Sequence, residues 1–158
     1  MDRLQRLSEA LNALVEKALF AIGAVICLIL FAQVLFRYAG ASIGWSEEVS
    51  RHLLVAITFL GGTSAYKRAG LIGLRGLGHR LGPRTEAAIR AVLQALTAAL
   101  FAGLLVFSAA YTVKAWEHTT ASAQIPMAVP FAAIPAAMAI FLIHALAGFG
   151  PPRRPTRS

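Results

Sequence analysis

The chain has 158 residues, of which 58% are apolar and only 14% are charged, and its formal net charge is +8. A soluble domain has roughly 25% charged residues, so this chain has too little polar material to coat a soluble fold. The basic residues lie in short segments without interleaved aromatic residues, a pattern that disfavours nucleic-acid binding. The single cysteine, Cys27, excludes an internal disulfide. The composition therefore indicates a protein surrounded mainly by lipid.

Four apolar runs are long enough to cross a bilayer. They occupy residues 18–36, 49–66, 91–113 and 126–149. The first covers roughly 28 Å, close to a hydrocarbon thickness of about 30 Å. It is longer than a signal-peptide core and ends without a small-residue cleavage site, so we interpret it as retained. The sequence predicts an all-α integral membrane protein with four transmembrane helices in a single domain, residues 1–150.

Lysine and arginine residues are distributed unequally between the connections, which sets the expected orientation. Those expected on the cytoplasmic side are Arg3, Arg6, Lys17, Lys67, Arg68, Arg75, Arg80, Arg84, Arg90, Arg153, Arg154 and Arg157. Only Arg37, Arg51 and Lys114 remain for the other side. The bias predicts that both chain ends are cytoplasmic. The basic, proline-rich tail, 151–158, is expected to be disordered.

Two flanking segments are predicted to be helices at the membrane surface. In the N-terminal segment, apolar residues recur at helical spacing at Leu4, Leu7, Leu11, Leu14 and Val15. This predicts an amphipathic helix that lies on the cytoplasmic leaflet before the chain turns into the first span. Between spans two and three, a leucine stripe within residues 71–81 predicts a second, short surface helix. The glycines in this segment disfavour a helix.

The densest group of polar side chains lies between spans one and two and at the start of span two. Its members are Arg37, Trp45, Ser46, Glu47, Glu48 and Arg51. Ser46 fits an N-cap, which would place both glutamates in the first helical turn, where the helix dipole favours anions. Either carboxylate can reach Arg51 at i,i+4 or i,i+3 spacing. Three roles are possible for this group: a charged contact for a partner chain, a gate, or a capped helix start anchored by Trp45. The residues alone favour the capped helix start.

No catalytic site is predicted from the carboxylates. Glu47 and Glu48 are adjacent in sequence, so they diverge by about 100° around a helix and do not face one substrate. Pro130 and Pro135 must bend the fourth span or locally open it. No carboxylate within a membrane core accompanies these prolines, whereas a self-contained ion-coupled carrier normally has a buried ionisable group. An accessory or scaffolding subunit is therefore expected, not an enzyme.

The histidines do not predict a haem or metal site. His52 and His144 would lie roughly 27 Å apart in depth, too far to share one iron. His79 and His118 fall in connections on opposite sides. His144 is expected to be an inward-facing hydrogen-bonding residue, and no cofactor is expected.

The stretch from Phe36 to Leu74 closely resembles the small membrane subunit of tripartite ATP-independent periplasmic (TRAP) transporters, the DctQ-like family. The matching residues are Arg37 and Tyr38; Trp45, Glu47, Glu48 and Arg51; Gly61, Gly62 and Ala65; and Lys67 and Arg68. The segment from Gln124 to Pro135 also resembles the start of the family's fourth helix. One departure is Leu71, where the family usually has a histidine, so no role of that histidine is carried over.

The resemblance implies a noncatalytic small permease subunit in the bacterial inner membrane. In such symport systems, a soluble periplasmic protein captures an organic acid, and a large membrane subunit carries the transport and ion sites. The small subunit packs against the large one and braces it. The resemblance favours an interface role for Arg37, Trp45, Glu47, Glu48 and Arg51. Two alternatives stay open: the membrane anchor of a redox enzyme, and an independent small exporter that works as a dimer.

Overall fold

The computed structural model describes residues 2–41, 43–69 and 83–148, and its secondary structure is helical apart from turns and one isolated bridge. The helices are α1 (Asp2–Tyr38), α2 (Ser46–Ala69), α3 (Pro83–Lys114), a 3-10 turn (Ala115–Glu117), α4 (Ala128–Phe131) and α5 (Ala133–Ala147). The predicted all-α fold is therefore confirmed. The predicted surface helix within 71–81, with Leu71 and His79, and the tail 151–158 lie outside the described residues.

Three helical stretches are long and apolar enough to cross a membrane. They are Arg3–Tyr38, Thr85–Glu117 and Ala128–Ala147. Helix α2 has 24 residues but is not among the three, because both of its ends are charged and Thr63 and Ser64 interrupt its apolar run. The chain is a multi-pass membrane protein, and a membrane-spanning role for α2 stays a prediction.

Helix α1 is one uninterrupted helix of 37 residues, which corresponds to about 55 Å. The predicted turn between a surface helix and the first span is therefore wrong. The physical reason lies on the inner side of its first turns, where Ser8 and Val15 are each only 4% exposed. Their packing against the bundle keeps the N-terminal turns in line with the apolar part of the helix.

Contacts near the helix ends give the direction of each helix. Ser8, near the start of α1, contacts Lys67 and His144, near the ends of α2 and α5. Gln94, near the start of α3, donates a hydrogen bond of 2.5 Å to the carbonyl oxygen of Ala145 in α5. Helices α1 and α3 therefore run antiparallel to α2 and α5.

Helix α5 lies at the centre of this arrangement, because it packs against α1, α2 and α3. In the described part of the chain, α1 and α3 make no contact with each other. They form opposite flanks of the bundle. Each flank therefore presents an uncovered face to its surroundings.

Three aromatic rings join α2, α3 and α5. The rings of Phe101 and Phe141 stack with their centroids 4.4 Å apart, and Tyr66 meets both edge-on at 5.6 and 5.7 Å. Gly62 lies against this group, since a β-carbon there would come within 3.1 Å of the Phe141 ring. The absence of a side chain at Gly62 thus lets α2 approach α5 closely.

The fourth apolar segment is divided into α4 and α5 at Ala132. Pro135 has no N–H, so the carbonyl of Phe131 lacks its usual helical donor. Pro130 likewise gives no donor to Pro126, whose carbonyl instead accepts a shorter-range bond from the Val129 N–H at 3.0 Å. The interruption predicted from the prolines is confirmed.

Candidate functional site at the two ends of α2

Polar side chains concentrate at the two ends of α2. The first site, called the Glu48 clamp, consists of Glu48 and the backbone of residues 121–123. The second, called the Lys67 cluster, consists of Ser8, Asn12 and Glu16 of α1, Ser64, Lys67 and Arg68 of α2, and His144 of α5. Acidic residues thus lie in the first turn of α2 and basic residues in its last turn, the arrangement that the helix dipole favours at each end.

The start of α2 is organised by Ser46, which is fully buried. Its hydroxyl donates a hydrogen bond of 2.7 Å to the carbonyl oxygen of Ile43. The predicted N-cap role of Ser46 is therefore wrong, because the hydroxyl closes the preceding turn and the helix already begins at Ser46. The Trp45 carbonyl accepts the Val49 N–H at 3.0 Å, the first helical bond of α2.

The Glu48 carboxylate accepts three hydrogen bonds from successive backbone N–H groups. The donors are Ala121 at 2.9 Å, Ser122 at 2.7 Å and Ala123 at 3.0 Å. Successive N–H groups that converge in this way form an anion-binding nest, and Glu48 supplies the anion. The clamp therefore fastens the start of α2 to the connection between α3 and α4.

The connection that carries the nest is itself fixed. The Thr120 N–H donates to the Ile125 carbonyl at 2.8 Å, and the Ile125 N–H donates to the Thr120 hydroxyl at 3.2 Å. Gln124 has a φ of 54°, in the left-handed region, and its side chain donates to the Ala121 carbonyl at 2.9 Å. These contacts hold the three N–H groups in one orientation and do not involve the Glu48 carboxylate.

The pKa of Glu48 is lowered, mainly by the hydrogen bond from the Ser122 N–H. The bonds from Ala123 and Ala121 and the nearby His52 lower it further, while partial desolvation opposes them. The carboxylate is therefore ionised at neutral pH. An ionised carboxylate strengthens each bond to the nest, since charge-assisted hydrogen bonds are stronger than neutral ones.

The remaining members of the predicted group do not take part in the Glu48 clamp. Arg37, Trp45, Glu47 and Arg51 are all exposed. The ion pairs found between described residues include neither a Glu47–Arg51 nor a Glu48–Arg51 pair. The i,i+4 and i,i+3 pairings that the sequence allows are not made, because Glu48 turns to the nest instead. All four are exposed, and Trp45, Glu47 and Arg51 lie within three residues of Glu48 in the chain.

The Lys67 cluster joins three helices through Ser8. The Ser8 hydroxyl lies 2.8 Å from Nδ1 of His144, and both side chains are buried. The Lys67 ammonium donates a hydrogen bond of 2.8 Å to the Ser8 backbone carbonyl. Burial lowers the pKa of Lys67, and the carboxylates of Glu9 and Glu16 oppose that shift. One turn of α1 is thereby fixed to the ends of both α2 and α5.

Glu16 forms the other half of the cluster. Its carboxylate accepts hydrogen bonds from Arg68 at 2.6 Å, Asn12 at 2.9 Å and Ser64 at 3.3 Å. Because Arg68 and Ser64 belong to α2, these bonds tie α1 to α2 about two helical turns beyond Ser8. Helix α2 is therefore held at both of its ends, by a backbone nest at the start and by α1 at the end.

The family of tripartite ATP-independent periplasmic transporters, DctQ component, matches residues 26–150. The chain belongs to this family. The resemblance carried by Phe36–Leu74 is thereby confirmed, and the protein is a small component of a TRAP transporter. No curated protein matches the chain. The match includes the Glu48 clamp and the α2 and α5 parts of the Lys67 cluster, and it begins after Ser8 and Glu16.

For this DctQ component, sequence reasoning found part of each site. The hydrogen-bonding role expected for His144 is confirmed by its contact with Ser8. Ser8 and Glu16 were missed, because the N-terminal segment was interpreted as an isolated amphipathic helix. Ser8 and Val15 are seven residues apart, and this spacing places them on one face of a helix. The structure shows that this face is buried at both positions. Across the described ranges, no group of three His, Cys, Asp or Glu residues is placed to hold a metal ion.

Proposed function

We propose that this DctQ component is the noncatalytic small permease subunit that braces the large transport subunit of an ion-gradient-driven importer of organic acids. The family membership supports this role. The structural observation that carries it is the fastening of α2 at both ends, through three backbone N–H groups at Glu48 and through α1 at Lys67 and Arg68. A helix fixed in this way suits a rigid brace better than a moving carrier.

In this proposal, all four long helical segments cross the bacterial inner membrane. Helix α2 is about 36 Å long, enough for a hydrocarbon core of about 30 Å. The alternating helix directions bring the start of α1, the end of α2 and the end of α5 to the same end of the bundle. The excess of lysine and arginine assigns that end to the cytoplasm. The Glu48 clamp then lies on the periplasmic side.

The interface role of Arg37, Trp45, Glu47 and Arg51 is part of the same proposal. All four side chains are exposed, and aromatic and arginine residues are enriched at protein interfaces. The clamp would hold the backbone beneath them in one geometry for the large subunit. Glu48 would then act indirectly, by positioning its neighbours.

Co-purification from native membranes in a mild detergent, followed by uptake assays, tests the proposed function. We expect a stoichiometric, highly apolar membrane protein several times larger than this chain, and loss of organic-acid uptake when the gene for the small subunit is deleted. A large soluble partner that carries flavin or iron–sulfur would overturn the proposal in favour of a redox anchor. A lone dimer of this chain that transports by itself would overturn it in favour of an exporter.

A further inference from the structure

The two flanks of the bundle expose apolar faces of different length. On α3, the exposed apolar residues run from Val92 to Val113, a distance of about 32 Å. The Glu86–Arg90 ion pair lies beyond one end of this face, and Trp116 lies beyond the other. This length matches a hydrocarbon core of about 30 Å, and tyrosine and tryptophan favour the headgroup level. Lipid is sufficient to cover the α3 face.

The exposed face of α1 is longer. We call it the outer stripe of α1, and its members are Leu7, Leu14, Leu28, Phe31 and Leu35. Leu7 and Leu35 are 28 residues apart, which is about 42 Å along the helix. Taking the charge-free run 18–36 as the hydrocarbon span, Leu14 lies about 6 Å outside it and Leu7 roughly 16 Å outside it. Leu7 and Leu14 are nevertheless 47% and 63% exposed.

The N-terminal turns of α1 cannot rotate these leucines toward the bundle. Ser8 and Val15, both buried, lie about 100° from these leucines around the helix. The hydrogen bonds of Ser8 to His144 and Lys67 fix that rotation. Leu7 and Leu14 therefore point outward beyond the reach of the hydrocarbon core. A protein surface is the covering that fits this position.

The same part of α1 also carries basic side chains. Arg3, Arg6 and Lys17 are exposed, and Arg3 and Lys17 lie within about 80° of Leu7 around the helix. A covering surface that combines apolar side chains with carboxylates would complement both features.

We propose that the outer stripe of α1 docks on the large transport subunit, through a helix of that subunit with apolar residues opposite Leu7 and Leu14 and carboxylates opposite Arg3, Arg6 and Lys17. This inference rests on the proposed function. The family match begins at residue 26, after Leu7, Leu14 and the three basic residues. Helix α3 then faces lipid.

Site-specific photocrosslinking in native membranes tests the inference. A photoreactive amino acid is placed at Leu14 in one variant and at Leu96 in a matched control, since these leucines are 63% and 62% exposed on opposite flanks. We expect a covalent adduct with the large subunit from position 14 and none from position 96. Lys17→Glu should abolish the adduct at position 14, and Lys17→Arg should retain it.

Each contrary outcome has a distinct meaning. If the large subunit co-purifies but forms adducts from position 96 and not from position 14, the docking inference fails and the proposed function stands. An adduct of twice the chain mass from position 14 would assign the stripe to a second copy of this chain, and lipid adducts alone would assign it to the bilayer. If the wild-type chain retains no large membrane partner, the proposed function fails and the inference fails with it.

Discussion

The two ends of α2 are fastened by different chemistry. At the start of the helix, a single carboxylate accepts three N–H groups from one short backbone segment. At the end, side chains of α1, α2 and α5 share the contacts, through Ser8 at one level and Glu16 at another. The Glu48 clamp therefore depends on one residue, whereas loss of one member of the Lys67 cluster leaves other contacts between the same helices.

The largest effect is expected from Glu48→Ala, because it removes all three acceptor contacts of the nest at once. Faster hydrogen exchange at Ala121–Ala123 should result, together with weaker recovery of the large subunit. Exchange measured by mass spectrometry in detergent or nanodiscs checks this.

Glu47→Ala is the matched control for the clamp, since Glu47 is adjacent and exposed. It should leave exchange in the nest unchanged. Added formate should partly slow exchange in Glu48→Ala by filling the vacated nest. Equal protection of Ala121–Ala123 in wild type and Glu48→Ala would show that the clamp does not hold this connection.

The next effect is expected from His144→Ala. It leaves the buried Ser8 hydroxyl without its partner and opens a cavity between α1 and α5, which should lower the free energy of unfolding by about 2–3 kcal/mol. Thermal unfolding in a fixed detergent measures the change. Leu146→Ala, at an exposed position on the same helix, is the control and should have a smaller effect; equal losses would mean that the Ser8 contact adds nothing.

Acid should open the Glu48 clamp. The folded pKa of Glu48 lies below the ordinary value of 4.5, so its stabilising contribution is complete above that value and is lost as pH falls through the folded pKa. In a Trp116→Phe background, the fluorescence of Trp45 should change in that acidic window. The same change in a Glu48→Gln variant would assign the transition to another group.

The smallest effect is expected from Arg68→Met. Its ion pair with Glu16 involves side chains that are 71% and 42% exposed, so solvent screens it strongly, and Asn12 and Ser64 still bond to Glu16. Lys67→Met should destabilise the protein more, because it removes a donor to the Ser8 carbonyl. The thermal unfolding midpoints of the two variants test this order. A larger fall in the midpoint for Arg68→Met than for Lys67→Met would contradict it.

The features that depend on local pattern follow from the amino-acid sequence alone. The long apolar runs predict an all-α membrane protein, and Pro130 and Pro135 predict the interruption of the fourth segment, because a missing N–H acts within one helical turn. The motif from Arg37 to Arg68 indicates the family. Each of these conclusions needs only neighbouring residues.

Only the tertiary structure decided which groups pair across the chain. Glu48 binds N–H groups 73 to 75 residues away. These donors are backbone groups that every non-proline residue has. The nest therefore has no side chain by which it could be recognised in the sequence. Ser8 meets His144 across 136 residues. That contact keeps α1 straight where the local apolar pattern predicts a turn, because packing against α2 and α5 buries Ser8 and Val15.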